Sequence, residues 1–270
     1  MTTPMEPTRI DLGTADVICD VEGPVAWLTF NRPQALNAMT WAMYDALHAA
    51  CERVDADDGI RILVLRGAGD RAFVAGTDIS QFQAFRTAED ALNYERGMDR
   101  YVGRLEAVQK PTIAMIRGYC VGGGAAIAMV CDLRIAGQDA KFGVPIARTL
   151  GNTLSAQNLA RLVALTGPGR AKDVLFTARF IEAEEGKAIG LFNEVVRMED
   201  LESRTRELAT RIAGHAPLTL RSLKEGVRRV LARGHIEETT DLYLICYLSE
   251  DFKEGVSAFL EKRAPRWQGR

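Results

Sequence analysis

The stretch KPTIAMIRGYCVGGGAAIAMVCD, residues 110–132, decides the fold of this chain. Lys110-Pro111 ends a preceding helix, because proline disfavours helical geometry in the residue before it. The apolar run Thr112–Ile116 then predicts a strand buried on both faces. Three glycines, Gly122–Gly124, lead into a helix of small residues that we expect over Ala125–Cys131. A strand, a glycine turn and a helix in this order indicate a unit of an α/β fold.

Short strands and helices alternate on both sides of this stretch. Thr40 is the expected N-cap of a first helix that runs to about Val54. The expected strands are 16–21, 25–30, 62–65, 72–74, 133–136, 140–143 and 193–196, and the expected helices are 87–108, 155–166, 169–177, 182–190, 199–213, 217–232, 236–248 and 251–261. This order predicts an α/β core over residues 1–198 and a helical region over residues 199–270, with no flexible linker between them.

Charge and composition exclude several classes of protein. The 270 residues carry 34 Lys and Arg against 36 Asp and Glu, a net charge of −2, so no strong field is available to hold nucleic acid or an anionic membrane. The most apolar stretch, 113–131, is interrupted by Arg117 and by glycines, which argues against a membrane span. The first residues lack the basic start and apolar run of a secretory signal, and we expect a cytoplasmic protein.

The cysteine and histidine content predicts neither disulfides nor a metal site. The five cysteines are an odd number without a CxxC pair, and they lie at Cys19, Cys51, Cys120, Cys131 and Cys246. Their apolar neighbours predict buried, reduced thiols. The three histidines form no HExxH motif or Cys/His cluster, so we expect no zinc site.

Two glycine-bearing turns are the candidate functional elements. Ala75-Gly76-Thr77-Asp78 and Gly122-Gly123-Gly124 each follow an expected strand. Glycine lets a ligand or another backbone come close, and the second turn opens a helix whose first N–H groups have no partner in the helix. Two such amides that converge on one point would form an oxyanion hole. A flexible turn or tight helix–strand packing explains the glycines equally well, but neither a phosphate loop nor a dinucleotide fingerprint is present.

Five motifs together resemble those of the crotonase superfamily, the enoyl-CoA hydratase/isomerase fold. They are residues 31–38 (NRPQALNA), 75–78 (AGTD), 110–132, 142–145 (FGVP) and 255–263 (GVSAFLEKR), and the resemblance runs in order over about 16–265. It implies a spiral of ββα units whose C-terminal helices support a homotrimer, often paired into a hexamer. It also implies an acyl-CoA thioester as ligand, with coenzyme A part of the substrate, and no separate cofactor, metal, nucleic acid or membrane partner.

The resemblance also implies a set of site residues. The N–H groups of Thr77 and Gly123 would polarise the thioester carbonyl and stabilise an enolate. Contacts to the substrate or to coenzyme A are implied for Ala35, Leu36, Ala75, Gly76, Asp78, Ile79, Ser80, Tyr119, Gly122, Ala126, Pro145, Ile146, Phe259 and Lys262. Other interpretations stay open for Asp78 as a cap of its turn, for Tyr119 as a packing residue and for Lys262 as a solvated surface charge.

The chain departs from the family at the positions that would carry acid/base chemistry. Enoyl-CoA hydratases have one glutamate two residues beyond the glycine triplet and another just after the Gly-x-Pro. Here these positions hold Ala126 and Ile146, and no Asp or Glu occurs between Asp139 and Asp173. Neither alanine nor isoleucine can transfer a proton, so the usual hydratase and isomerase mechanisms lack their carboxylates at these positions.

Three polar residues after the pocket segment are candidates to replace the carboxylates. Asn152 and Ser155 would orient a water or a substrate carboxylate, and Arg148 would pair with an acidic acyl group. The structural alternatives are a turn residue for Asn152, a helix N-cap for Ser155 and a surface charge for Arg148.

We expect enolate chemistry, with decarboxylation of a β-carboxyacyl-CoA favoured because it needs no base. The alternatives are a non-catalytic acyl-CoA-binding scaffold, or a divergent hydratase, isomerase or hydrolase.

Overall fold

A computed structural model describes residues 7–84, 88–149, 153–233 and 249–251, together with 254, 258, 261, 263 and 265–270. The strands are β1 Thr8–Ile10, β2 Val17–Glu22, β3 Val25–Phe30, β4 Ile62–Gly67, β5 Ala72–Ala75, β6 Thr112–Ile116, β7 Tyr119–Val121, β8 Leu133–Gly137, β9 Lys141–Gly143, β10 Ile181–Glu182 and β11 Glu194–Val196. The α-helices are α1 Trp41–Ala56, α2 Ala88–Glu106, α3 Gly123–Val130, α4 Ile146–Thr149, α5 Ala156–Thr166, α6 Pro168–Thr177, α7 Ala183–Ala188, α8 Leu201–Ala213 and α9 Pro217–Arg233. Short 3₁₀ turns span Pro33–Ala35, Ile79–Ala84 and Met198–Asp200.

The larger sheet has the strand order β1-β2-β3-β4-β6-β8-β11. Its strands from β3 to β11 run parallel, whereas β1, β2 and β3 pair antiparallel. Both faces of the central strands are buried. Alternate residues of β3, Ala26 and Leu28, face the main core, whereas Val25 and Trp27 belong to a second cluster with Leu201 of α8. This two-sided burial is why the central strands are continuous apolar runs.

The smaller sheet has the order β10-β9-β7-β5, with β5, β7 and β9 parallel. Its strand β7 was absent from the sequence prediction, because three residues between Gly118 and Gly122 are too few to show a pattern. The helix α3 begins at Gly123, two residues earlier than predicted, so the glycines form its first turn. The alternation of strands and helices confirms the predicted α/β class, with helices in the C-terminal region.

Several other sequence predictions are confirmed locally. Thr40 caps α1, where its side chain accepts a hydrogen bond from the Met43 amide. Cysteines 19, 51, 120 and 131 are buried and free, whereas Cys246 lies outside the described residues. The predicted helix 236–248 also lies outside the described residues, as does most of 251–261. Within the described ranges, no helix combines the length and apolar character that a membrane crossing requires.

Candidate active site

Three sequence motifs meet because three parallel strands end at one edge of the smaller sheet. In the register of β5, β7 and β9, Ala75 lies opposite Val121, and Val121 lies opposite Gly143. The carboxyl ends of parallel strands share an edge, which is where ligands bind in many α/β folds. The turns that follow the three strands therefore leave the sheet side by side. A hydrogen bond of 3.0 Å from the Gly122 amide to the Gly143 carbonyl joins two of them.

The two glycine turns lie close together. Gly122 has φ +55° and ψ −115°, and Gly76 has φ +94°. These backbone conformations are accessible to glycine and strained for other residues. A Cβ atom built on Gly122 would lie 3.4 Å from the Gly76 Cα. The space between the two backbones at this point would thus be filled by a single methyl group.

The amides of Thr77 and Gly123 are not engaged by the main chain. The segment around Met39 bonds to the residues before and after Thr77 but not to Thr77 itself. The Met39 amide donates to the Gly76 carbonyl at 2.9 Å, and the Asp78 amide donates to the Met39 carbonyl at 2.8 Å. Gly123 is the first residue of α3, whose initial amides have no acceptor within the helix. Neither amide donates a hydrogen bond to any part of the chain that the structure describes.

Two tyrosines hold the side chain of Thr77. Its Oγ1 lies 2.8 Å from the Tyr44 Oη and 3.5 Å from the Tyr94 Oη. Tyr44 is fully buried on α1, and burial raises its pKa far above the usual range. Burial also raises the pKa of Tyr94, on α2. Both phenols therefore stay neutral, and they orient Thr77 as hydrogen-bond partners.

The carboxylate of Asp78 stabilises its own turn. Its Oδ1 accepts hydrogen bonds from the Ser80 hydroxyl at 2.7 Å and from the Ser80 amide at 3.2 Å. Its Oδ2 lies 3.1 Å from Arg32 Nη1. The bonds from Ser80 and the charge and hydrogen bond of Arg32 hold the pKa of Asp78 below its usual range. This geometry supports the interpretation of Asp78 as a cap and ties the 31–38 motif to the first glycine turn.

We expect Asp78→Asn to destabilise the fold by about 1 kcal/mol at pH 7, as for a partly exposed ion pair. Because the folded-state pKa is lowered, the stabilisation is complete above the ordinary aspartate pKa of about 3.9. It is lost as the pH falls through the folded-state pKa. Denaturant unfolding at several pH values measures this difference. The control is Glu199→Gln, which removes an ion pair whose side chains are about two-thirds exposed. Equal losses of unfolding free energy in both variants would contradict the role of Asp78 as a stabiliser of its turn.

The loop 33–38 is placed beside the first glycine turn by Asn37. This fully buried residue donates from Nδ2 to the carbonyls of Ala68 and Ala72, at 3.0 and 2.9 Å. The Ala75 amide donates to the Leu36 carbonyl at 3.0 Å. Ala35 and Leu36 therefore lie next to the turn without lining the cavity described below. The sequence motif contained Asn37, but only the structure assigns it this positioning role.

A cavity of about 210 Å³ opens beside the two free amides. Nine of the residues implied by the resemblance line it, namely Ala75, Gly76, Thr77, Ile79, Gly122, Gly123, Ala126, Pro145 and Ile146. Its wall is mostly apolar, with Ala126 buried and Ile146 partly buried. Small apolar surroundings beside unengaged amides suit a polarised carbonyl on an otherwise apolar acyl chain.

The structure places other candidate residues away from this cavity. Arg148 is exposed on α4. Ser155 is the N-cap of α5 and donates to the Asp99 carboxylate at 2.8 Å. Tyr119 packs edge-to-face on Phe180, with ring centroids 5.9 Å apart. The side chains of Asp78 and Ser80 are hydrogen-bonded to each other and do not line the cavity. The remaining candidates, Asn152, Phe259 and Lys262, lie outside the described residues.

One carboxylate that the sequence analysis missed does line the cavity. Glu95 of α2 lies there, with Tyr94 and Met98 of the same helix. The carboxylates implied by the family resemblance follow the glycine triplet, whereas Glu95 precedes it. A signal existed in the sequence, because Glu95 falls in helical register with the buried Met98, Val102 and Leu105. The described residues contain no cluster of His, Cys, Asp or Glu that could hold a metal ion.

Known proteins resemble this chain over nearly its whole length. The family model described as enoyl-CoA hydratase/isomerase matches residues 20–270. A crotonyl-CoA hydratase of Syntrophomonas wolfei is 38% identical over 252 residues, which cover 92% of this chain and 96% of that protein. A short-chain-enoyl-CoA hydratase of Clostridium acetobutylicum is 36% identical over 251 residues, covering 92% and 95%. The crystal structure of an enoyl-CoA hydratase/carnithine racemase from Magnetospirillum magneticum has a TM-score of 0.89 at 34% identity, covering 96% and 97%.

Proposed function

The chain belongs to the enoyl-CoA hydratase/isomerase family, whose members process acyl-CoA thioesters, and we propose that it stabilises a thioester enolate between the amides of Thr77 and Gly123. The observation that carries this proposal is that both amides lack an acceptor in the described chain and border one apolar cavity. An acyl-CoA carbonyl oxygen at their meeting point would accept both hydrogen bonds.

The physical gain comes from placing fixed donors where negative charge develops. In such a site, one preorganised donor contributes about 2.7–4 kcal/mol to the stabilisation of the transition state. The start of α3 adds the positive end of its helix dipole behind Gly123. Thr77 does not have to reorganise, because its side chain is already held by Tyr44.

Two routes lead to an enolate in this cavity. Loss of carbon dioxide from a β-carboxyacyl-CoA needs no base, and the apolar side chains of Ala126 and Ile146 would favour the neutral product. Loss of a proton from the carbon next to the thioester needs a base. The lining supports proton loss better, because Arg148 lies outside it and Glu95 would repel a substrate carboxylate.

We also propose that the chain assembles as a homotrimer or hexamer, as the family resemblance implies. An exposed apolar stripe on α9 supports this assembly. Leu223, Val227 and Leu231 follow each other at four-residue spacing and are 64%, 59% and 66% exposed. Contiguous exposed apolar patches of this kind mark surfaces that a partner or another part of the chain covers.

The test is incubation of the protein in heavy water with saturated, 2-enoyl, 3-enoyl and β-carboxyacyl-CoA thioesters. We expect deuterium at the α- or γ-carbon, detected by mass spectrometry, without release of carbon dioxide. Carbon dioxide release with deuterium at the α-carbon would instead establish the decarboxylase. Tight binding of coenzyme A thioesters without exchange or turnover would leave the non-catalytic scaffold.

A further inference from the structure

We propose that Glu95 is the proton-transfer residue of this site, taking the place of the carboxylates expected at positions 126 and 146. This inference rests on the proposed function, because it assigns the base that removes a proton from an acyl-CoA whose carbonyl lies between Thr77 and Gly123. The residue comes from a different element, α2, and from an earlier part of the chain than the family motifs.

Glu95 is separated from the glycine turns in sequence, but in space it shares their cavity. Glu95 borders the same cavity as Thr77 and Gly123. Its helix neighbours Tyr94 and Met98 border it too, so this face of α2 forms one wall. The hydroxyl of Tyr94 lies 3.5 Å from Thr77 Oγ1, which fixes this part of α2 relative to the first glycine turn. A short acyl chain in the cavity would therefore lie between the free amides and the wall that carries Glu95.

The Glu95 carboxylate is uncommitted within the described part of the chain. Other carboxylates of α2 have partners: Glu89 pairs with Arg96 at 3.0 Å, Glu106 pairs with Arg161 at 2.6 Å, and Asp99 accepts from the Ser155 hydroxyl at 2.8 Å. Among the described residues, Glu95 has no hydrogen bond and no ion pair. A partly buried carboxylate without a partner is costly to the fold, and such a cost is common at functional sites.

The surroundings of the Glu95 carboxylate favour its neutral form. Burial, and in second place the negative charge of Asp99 one turn along the helix, raise the pKa of Glu95. The other polar side chains that line the cavity are the neutral ones of Thr77, Tyr94, Thr149, Thr153 and Asn158, and no cation is among the described lining residues. A raised pKa brings this carboxylate closer to neutral pH, where one group can best both accept and return a proton.

The proposed step is balanced without any further reactant. The Glu95 carboxylate takes the proton from the carbon next to the thioester, or from the γ-carbon of an enoyl chain. The C–H bond breaks, an O–H bond forms, and the electron pair moves to the thioester oxygen between the two amides. The same carboxylic acid then returns a proton to carbon. Once the carboxyl proton has exchanged with water, return to the original carbon leaves a solvent hydrogen there, and return to the other terminal carbon of a dienolate moves the double bond.

The experiment compares the wild type with Glu95→Gln, Glu95→Asp and the matched control Glu89→Gln. A conjugated arylacryloyl-CoA serves as the binding probe, because its absorption moves to longer wavelength when its carbonyl is polarised. We expect the same red shift in all four proteins. With 3-enoyl-CoA in heavy water, we expect at least a hundredfold slower exchange for Glu95→Gln, partial recovery for Glu95→Asp, and no change for Glu89→Gln.

The pH dependence supplies a readout that a structural role would not move. Exchange by the wild type should decline on the acid side as Glu95 becomes protonated, and this decline should be absent from the residual rate of Glu95→Gln. Stability should change in the opposite direction to activity. The penalty for the ionised Glu95 is absent below the ordinary glutamate pKa and complete above the raised folded-state pKa, so Glu95→Gln should unfold at a higher temperature than the wild type at pH 7 but not at pH 4.

The outcomes separate this inference from the proposed function. A red shift together with undiminished exchange in Glu95→Gln overturns the role of Glu95 and leaves the amide site intact. A red shift in the wild type without exchange of any thioester overturns it as well. A wild type that shows neither shift nor exchange overturns the proposed function, and the assignment of Glu95 with it.

Discussion

Replacing Gly124 by alanine should lower acyl-CoA turnover at least a hundredfold, because it forces the two glycine turns apart. A Cβ atom on Gly124 would lie 2.1 Å from the Val74 carbonyl oxygen and 2.7 Å from the Val74 Cβ. The oxygen belongs to the backbone of β5 and cannot rotate away. The start of α3, with the Gly123 amide, must therefore move away from β5 and Thr77, and a displacement of about 1 Å at a reacting centre costs about a hundredfold in rate.

The same substitution should destabilise the fold only moderately, by about 1–3 kcal/mol, as expected for overpacking. Deuterium exchange with 3-enoyl-CoA measures the activity, and denaturant unfolding measures the stability. Gly103→Ala is the matched control, since nothing lies within 4 Å of a Cβ atom there and alanine favours the helix α2. Wild-type exchange by a folded Gly124→Ala variant would show that the spacing of the two turns does not govern the reaction.

Replacing Arg134 by methionine should cost about 3–5 kcal/mol of unfolding free energy, because each buried acceptor left unsatisfied costs about 1–3 kcal/mol. Arg134 is only 5% exposed. Its guanidinium donates to the carbonyls of Leu191, Cys131 and Ala128, at 2.6, 2.7 and 3.3 Å. Two of these carbonyls lie at the end of α3, so Arg134 caps the helix whose start carries Gly123.

Denaturant unfolding at one fixed protein concentration checks this value. Arg134→Lys should be intermediate, because an ammonium group lacks the planar fork that reaches acceptors in different directions. Arg71→Met is the control, because Arg71 is exposed and such surface changes stay within about 0.5 kcal/mol. A loss for Arg134→Met as small as that of the control would mean that water or another donor replaces the guanidinium.

Much of the fold could be predicted because its elements have local causes. The run Thr112–Ile116 is a strand with exactly the predicted bounds, and Thr40 caps the first helix as expected. A predicted boundary was wrong where residues assigned to a turn belong to the helix that follows it. The prediction began α3 at Ala125, but Gly122 serves as the N-cap, so Gly123 and Gly124 are already helical. The strand Tyr119–Val121 becomes regular only through its pairing with β5 and β9.

The site could be predicted only in part. The glycine turns and their free amides follow from motifs that lie directly after strands, and nine predicted residues line one cavity. The replacements proposed for the missing carboxylates depended on nearness in sequence to the pocket segment. Ser155 instead caps α5 and donates a hydrogen bond to Asp99, and Arg148 is an exposed residue of α4.

The amino-acid sequence by itself determined the strands, the glycine turns and the absence of carboxylates at positions 126 and 146. These depend on local backbone preference and on residue identity. Only the tertiary structure decided which distant groups share the cavity. Glu95 borders the same cavity as Thr77 and Gly123 because α2 packs against α1 and α3. Contacts between such distant segments are set by how helices and sheets fill the core, and no spacing along the chain encodes them.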